Sequence, residues 1–139
     1  MPARRFYVDT SAYLCILLGE TGHDPLAREL AGSSILSSCL LVLEAHRTLV
    51  RLARDRFLSA SDLQLALDRL DADLSVFLFH DLTLGLCRQR TMPVVTTPRS
   101  LDLAHLRTAV AIHARDPLTR FVSLDAVQNH AAREMGLPV

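Results

Sequence analysis

Short apolar runs alternate with stretches of helical periodicity along this chain of 139 residues. Phe6-Tyr7-Val8 predicts a short buried strand, and Thr10 and Ser11 can cap a helix that runs to about Leu18 and stops at Gly19. Asp24-Pro25 predicts a second helix, Asp24 as its N-cap and Pro25 in its first position, ending near Gly32. Ile35-Leu36 reads as a second strand. Ser38 then opens a long helix to Arg54, with Leu40, Leu43, Leu49 and Leu52 on its apolar side. Ser59 followed by Asp62 resembles a capping box before a helix from about Ala60 to Leu70. Ser75–Phe79 predicts a third strand, Leu82–Arg90 a helix, and Pro93 and Pro98 bracket a loop. Ser100 can cap a helix to about Ala114, with Leu103, Leu106 and Val110 at helical spacing. Phe121–Leu124 reads as the last strand, and Asp125 caps a final helix that ends at Gly136.

The predicted strands are continuous apolar runs, and helices separate them. That pattern predicts a parallel sheet covered on both faces, in one domain spanning residues 1–139. Half of the residues are hydrophobic, enough for a core without covalent staples. Cys15, Cys39 and Cys87 form no CxxC pair and sit in apolar segments, so they read as buried free thiols in a reducing compartment rather than zinc ligands. Arg4 and Arg5 precede an apolar stretch that Asp9 interrupts at once, and no apolar run reaches membrane-spanning length. A soluble, cytoplasmic protein is the expectation.

The formal net charge is zero. A nucleic-acid partner would therefore have to be held by a local patch or through metal, not by total charge. All fifteen basic residues are arginine. Genome composition and phosphate gripping by guanidinium forks both account for that choice. Under either, a catalytic lysine is excluded.

Four carboxylates stand out. Asp9 ends the first strand, where an open α/β sheet collects its ligands, and Asp125 ends the last. Both also suit ordinary helix capping. Glu44 lies mid-helix in Leu40-Leu41-Val42-Leu43-Glu44-Ala45, where capping cannot explain it. A cation would relieve its cost there, and so would an ion pair with Arg47 or exposure to solvent. Asp102 sits in the first turn of its helix, where it also complements the helix dipole. Clustered, these groups would repel one another, and a hard divalent ion, Mg²⁺ or Mn²⁺, would relieve the repulsion. His105, in Leu103-Ala104-His105-Leu106, reads as a packed helix residue.

Tyr7-Val8-Asp9-Thr10-Ser11-Ala12 resembles the opening signature of PIN domains, especially the VapC-type toxins of toxin–antitoxin pairs. Leu43-Glu44-Ala45 is similar to the acidic helix motif of that family, and the segment from Ser100 to Ala109 to its third motif. Phe121-Val122-Ser123-Leu124-Asp125 resembles its last strand and acidic end, and the closing segment from Ala131 to Leu137 is also similar. The resemblance covers the whole chain in order. It implies a three-layer α/β/α sandwich with a short-stranded central parallel sheet, and RNA cleavage dependent on Mg²⁺ or Mn²⁺. It further implies inhibition by a cognate VapB-like antitoxin and a homodimer. By analogy Asp9, Glu44, Asp102 and Asp125 hold the metal and carry catalysis, with Thr10 and Ser11 in support. Ser123 also supports the site; it stands where the family often has Thr, and both carry a hydroxyl.

The expected activity is an endoribonuclease that hydrolyses phosphodiesters with water activated by the metal. Arg47, Arg51, Arg99 and Arg107 are candidates for phosphate contacts, and a solvated surface explains them equally simply. The alternative is a catalytically silent PIN-like module that binds a partner protein or RNA; the intact acidic quartet argues against it. A receiver-type signalling domain also places Asp at strand ends, but it needs a lysine that this chain lacks.

Overall fold

The computed structural model describes residues 2–90, 96 and 99–139. The loop expected between Pro93 and Pro98 lies, apart from Thr96, outside the described residues. Along the chain run β1 (Arg5–Val8), α1 (Thr10–Leu18), α2 (His23–Leu30), β2 (Ser34–Ser38), α3 (Leu40–Arg54), α4 (Ala60–Leu74), β3 (Leu78–His80), α5 (Leu84–Cys87), α6 (Ser100–Arg115), β4 (Arg120–Val122) and α7 (Ala126–Glu134).

The four strands form one parallel sheet in the order β3-β2-β1-β4. Side chains of β1 alternate between its two faces, as the pleat requires. Phe6 and Val8 join a core with Tyr13, Leu17, Leu41, Ala45, Leu49 and Leu70 from the helices α1, α3 and α4. Tyr7 joins the opposite core with Leu106, Ala109 and Ile112 of α6 and Ala131 and Ala132 of α7. The result is the expected three-layer α/β/α sandwich. The chain leaves β1 for β2 on one side and returns as β4 on the other, so the strand order reverses at β1. A crevice opens at such a point, beyond the carboxyl ends of the strands.

Several element ends differ from expectation for local reasons. α2 begins at His23 with Gly22 as its N-cap, at φ 90°, which suits glycine. Asp24 therefore sits in the first turn and Pro25 one place later, where a missing N–H still costs nothing. The capping box of Ser59 and Asp62 forms, but α4 continues to Leu74. Residues 75–77 are then spent in a turn, and β3 starts only at Leu78. Thr83, not Leu82, starts the short α5 by accepting from the Leu86 amide. Ser100 is the first residue of α6 and Arg99 takes the N-cap position. Ser38 does accept from the Leu40 amide, although Cys39 holds the N-cap place of α3.

Cys15 is buried, Cys39 half-buried and Cys87 exposed, so the expectation of three buried thiols fails at Cys87. Among the described residues, no helix is long and apolar enough to cross a membrane.

Candidate active site

Asp9 follows the last residue of β1, and its amide still donates to the Val122 carbonyl of β4. Its Oδ1 accepts from Ser11 Oγ at 2.7 Å and from the Ala12 amide at 3.1 Å, which starts α1. Asp125 does the same work for α7, accepting from the amides of Val127 and Gln128. Capping and a place in the crevice are thus compatible: the carboxylate that ends a strand also begins the next helix.

Two serines join these turns. Ser11 Oγ lies 3.3 Å from Ser123 Oγ, and the Leu124 amide donates to Ser11 Oγ at 3.1 Å. Ser123 Oγ also accepts from the Asp125 amide. The β4–α7 turn is thereby pinned to the β1–α1 turn. The start of α6 is fixed to α7 by Gln128, whose Nε2 donates to the Asp102 carbonyl at 2.9 Å.

Asp9, Glu44, Asp102 and Asp125 line one pocket of about 370 Å³ together with Thr10, Ser11, Arg47, Arg99 and His105. Four chain segments thus bring their carboxylates to one cavity. Glu44 is not paired with Arg47, as one reading of its helix allowed. Its Oε1 accepts instead from Thr10 Oγ1 and from His105 Nε2, each at 2.8 Å.

The electrostatics differ from one carboxylate to the next. Burial pushes the Asp9 carboxyl up, against the lowering effect of its hydrogen bonds with Ser123, Ser11 and Ala12. Burial also raises Asp102, and the charges of Asp125 and Glu44 add to the effect, while Arg99 opposes it. Burial alone would raise Glu44, but its interactions with His105 and the bond from Thr10 outweigh it and hold the carboxyl below its usual range.

This donor set is one of hard oxygens, and the charges of Asp125 and Glu44 raise the proton affinity of Asp102, so it fits Mg²⁺ or Mn²⁺ in chemistry. The side chains surround the cavity without converging: among the described residues, no three of His, Cys, Asp or Glu are grouped as a metal centre.

The arginines divide. Arg47 and Arg99 line the carboxylate pocket. Arg51 lies with Leu43, His46, Val50 and Arg54 in a separate groove along α3, which Arg47 also borders. Arg107 is directed to the end of α5, where Nη1 donates to the carbonyls of Leu86 and Cys87 at 3.2 and 2.6 Å. The carbonyls of a helix end attract such a cation, and they draw Arg107 away from the pocket. His105 was missed as a member of the site. The one local signal is its place one helical turn after Asp102, which puts both on one face of α6.

An acidic crevice at the strand-order reversal of a parallel α/β/α sandwich is the class of site defined here. No protein-family model matches the chain, and no curated protein does. Among solved structures it is similar to VapC20 of Mycobacterium tuberculosis, a PIN-domain toxin that cleaves the sarcin–ricin loop. The match covers 89% of this chain and 92% of that one, with a TM-score of 0.53 and 16% identity. At that identity the likeness concerns the fold, which is PIN-like.

Proposed function

We propose that this protein is an endoribonuclease dependent on Mg²⁺ or Mn²⁺, and the toxin of a type II toxin–antitoxin pair. One observation carries the reading: Asp9, Glu44, Asp102 and Asp125, from four separate segments, line a single pocket with Arg47 and Arg99. The PIN-like fold shared with an RNA-cleaving toxin supports it.

In this mechanism the four carboxylates would hold the ion, which would supply activation of the attacking water and stabilisation of the charge that develops on the phosphoryl oxygens. The chain's own residues do the rest. Ser11 and the Ala12 amide fix the orientation of Asp9. Thr10 fixes Glu44, and Ser123 holds the turn that carries Asp125. Arg47 and Arg99 bind phosphates of the RNA at the pocket. Net charge contributes no general affinity, so substrate choice falls to the shape of single-stranded or looped RNA. A cognate VapB-like antitoxin, a homodimer and a cytoplasmic location belong to the same proposal.

The test is cleavage of total cellular RNA by purified protein in Mg²⁺ or Mn²⁺, with mapped ends, against EDTA and Asp9→Asn controls. Cuts that need the metal and vanish in both controls are the expected result. Identical patterns from wild type and Asp9→Asn would overturn the site. Absence of cleavage by a protein that still binds Mn²⁺ would favour the silent partner-binding module.

A further inference from the structure

We infer that His105 is a positioning residue for Glu44, itself aimed by the buried hydroxyl of Tyr7. The catalytic consequence rests on the ribonuclease reading above; the linkage itself rests on hydrogen-bond geometry.

His105 is 2% exposed, in the middle of α6. A buried imidazole must match both ring nitrogens, one as donor and one as acceptor when neutral. Nδ1 lies 2.7 Å from the Tyr7 hydroxyl. Nε2 lies 2.8 Å from Glu44 Oε1 and 3.2 Å from Thr10 Oγ1. The Tyr7 oxygen already accepts from the Ser38 amide at 3.1 Å. A carboxylate oxygen only accepts, so the contact with Glu44 calls for a proton on Nε2, and in the neutral ring Nδ1 is then the acceptor facing the Tyr7 hydroxyl, which also lies against Ser37. The ring proton then resides on Nε2 and points at Glu44.

Tyr7 is a firm anchor for this chain. It is fully buried in β1, stacks on Phe121 with ring centroids 5.4 Å apart, and meets the His105 ring edge-on at 5.9 Å. A line of hydrogen bonds thus runs from the end of β2 through β1 and α6 to α3. Glu44 receives two donors on one oxygen, Oε1, which leaves Oε2 without a protein donor among the described residues. A glutamate has three rotatable bonds; Thr10 and His105 remove that freedom before any ligand arrives. Both nitrogens of His105 are engaged, so its role is to orient rather than to take a proton. Partners that orient metal-binding side chains in this way typically affect affinity or activity 10- to 100-fold.

Long-range ¹⁵N–¹H correlation of the imidazoles in metal-free protein near neutral pH tests the linkage directly. His105, assigned by the signal lost in His105→Gln, is expected as the Nε2–H tautomer, and Tyr7→Phe should shift it towards a mixture. An Nδ1–H tautomer or a doubly protonated ring in the wild type would overturn the inference. Function is read with Mn²⁺ titration and cleavage kinetics. His105→Leu should lower Mn²⁺ affinity and kcat by about tenfold or more with little change in KM. His105→Gln, which keeps a donor near the position of Nε2, should recover part of both. If His105→Leu folds and matches wild type, the residue only packs and the inference fails. If His105→Leu does not fold, Tyr7→Phe and the tautomer still decide. If wild-type protein neither binds Mn²⁺ nor cuts RNA, the ribonuclease reading fails, and the tautomer measurement decides the linkage independently.

Discussion

Thr10 Oγ1 donates to Glu44 Oε1 at 2.8 Å, tying the first residue of α1 to the middle of α3. Thr10 is itself buried, and its bond is one of the contacts that hold the Glu44 carboxyl below its usual range. Thr10→Val keeps the shape and removes the donor. A hydrogen bond to a charged group contributes roughly 1.5–3 kcal/mol, so Thr10→Val should lose about that in denaturant unfolding at pH 7, and RNA cleavage with it. Thr10→Ser retains the hydroxyl and should stay close to wild type. Equal stability of all three proteins would show that the bond contributes nothing.

Legibility in the sequence followed the range of the interactions. Asp9 and Asp125 could be read because each punctuates a strand-to-helix step, a local pattern. Glu44 could be read because capping cannot explain a carboxylate inside an apolar helical run, although the run alone did not separate a site from an ion pair with Arg47 or exposure to solvent. His105 could not, since its partners Tyr7, Thr10 and Glu44 stand 98, 95 and 61 positions away. The same limit applied to the arginines. Arg51 and Arg47 share a helix, yet only Arg47 reaches the carboxylate pocket. The start of β3 was misplaced because the apolar run at 76–79 suits a strand, while the end of α4 consumes its first two residues in a turn.

Arg99 and Arg107 flank Asp102 in sequence but separate in space, and their substitutions should separate too. Arg99 lines the pocket and opposes the upward shift of Asp102. Arg99→Ala should weaken RNA binding uniformly across sequences and reduce the salt dependence of log K by about one. Arg107→Ala removes donors from the carbonyls that end α5. It should cost about 1–2 kcal/mol of stability and leave the salt slope unchanged. A salt slope altered by Arg107→Ala and not by Arg99→Ala would reverse the assignment.

Tyr13 provides a pH dependence remote from the carboxylates. Its hydroxyl donates to Asp73 Oδ2 at 2.8 Å, with Arg69 Nε 3.7 Å from the same oxygen. Burial raises its pKa, the bond to Asp73 and that charge raise it further, and Arg69 opposes them. The folded state thus keeps a proton that the unfolded chain releases above pH about 10. The stabilisation is present below that pH and is lost as pH rises beyond it, by up to about 1.4 kcal/mol per pH unit. Tyr13→Phe should be less stable at pH 8, by about 1 kcal/mol for the lost bond, and should lose stability less steeply between pH 10 and 11. Parallel curves for the two proteins would mean that Tyr13 ionises alike in both states.

Asp9 should oppose stability when no metal is bound. It is 5% exposed, burial raises its pKa, and Oδ1 is occupied by Ser11 and the Ala12 amide. Asparagine keeps an oxygen to cap α1 and removes the buried charge. In EDTA at pH 7, Asp9→Asn should therefore melt above wild type. Millimolar Mn²⁺ should invert that order. An ion at a hundredfold excess over its Kd stabilises the folded state by about 2.7 kcal/mol, a gain open to wild type and denied to Asp9→Asn. Melting curves of both proteins, with and without Mn²⁺, make the comparison. If Asp9→Asn is the less stable protein in EDTA, Asp9 serves α1 chiefly as a cap. If Mn²⁺ raises both proteins equally, the ion binds somewhere other than this pocket.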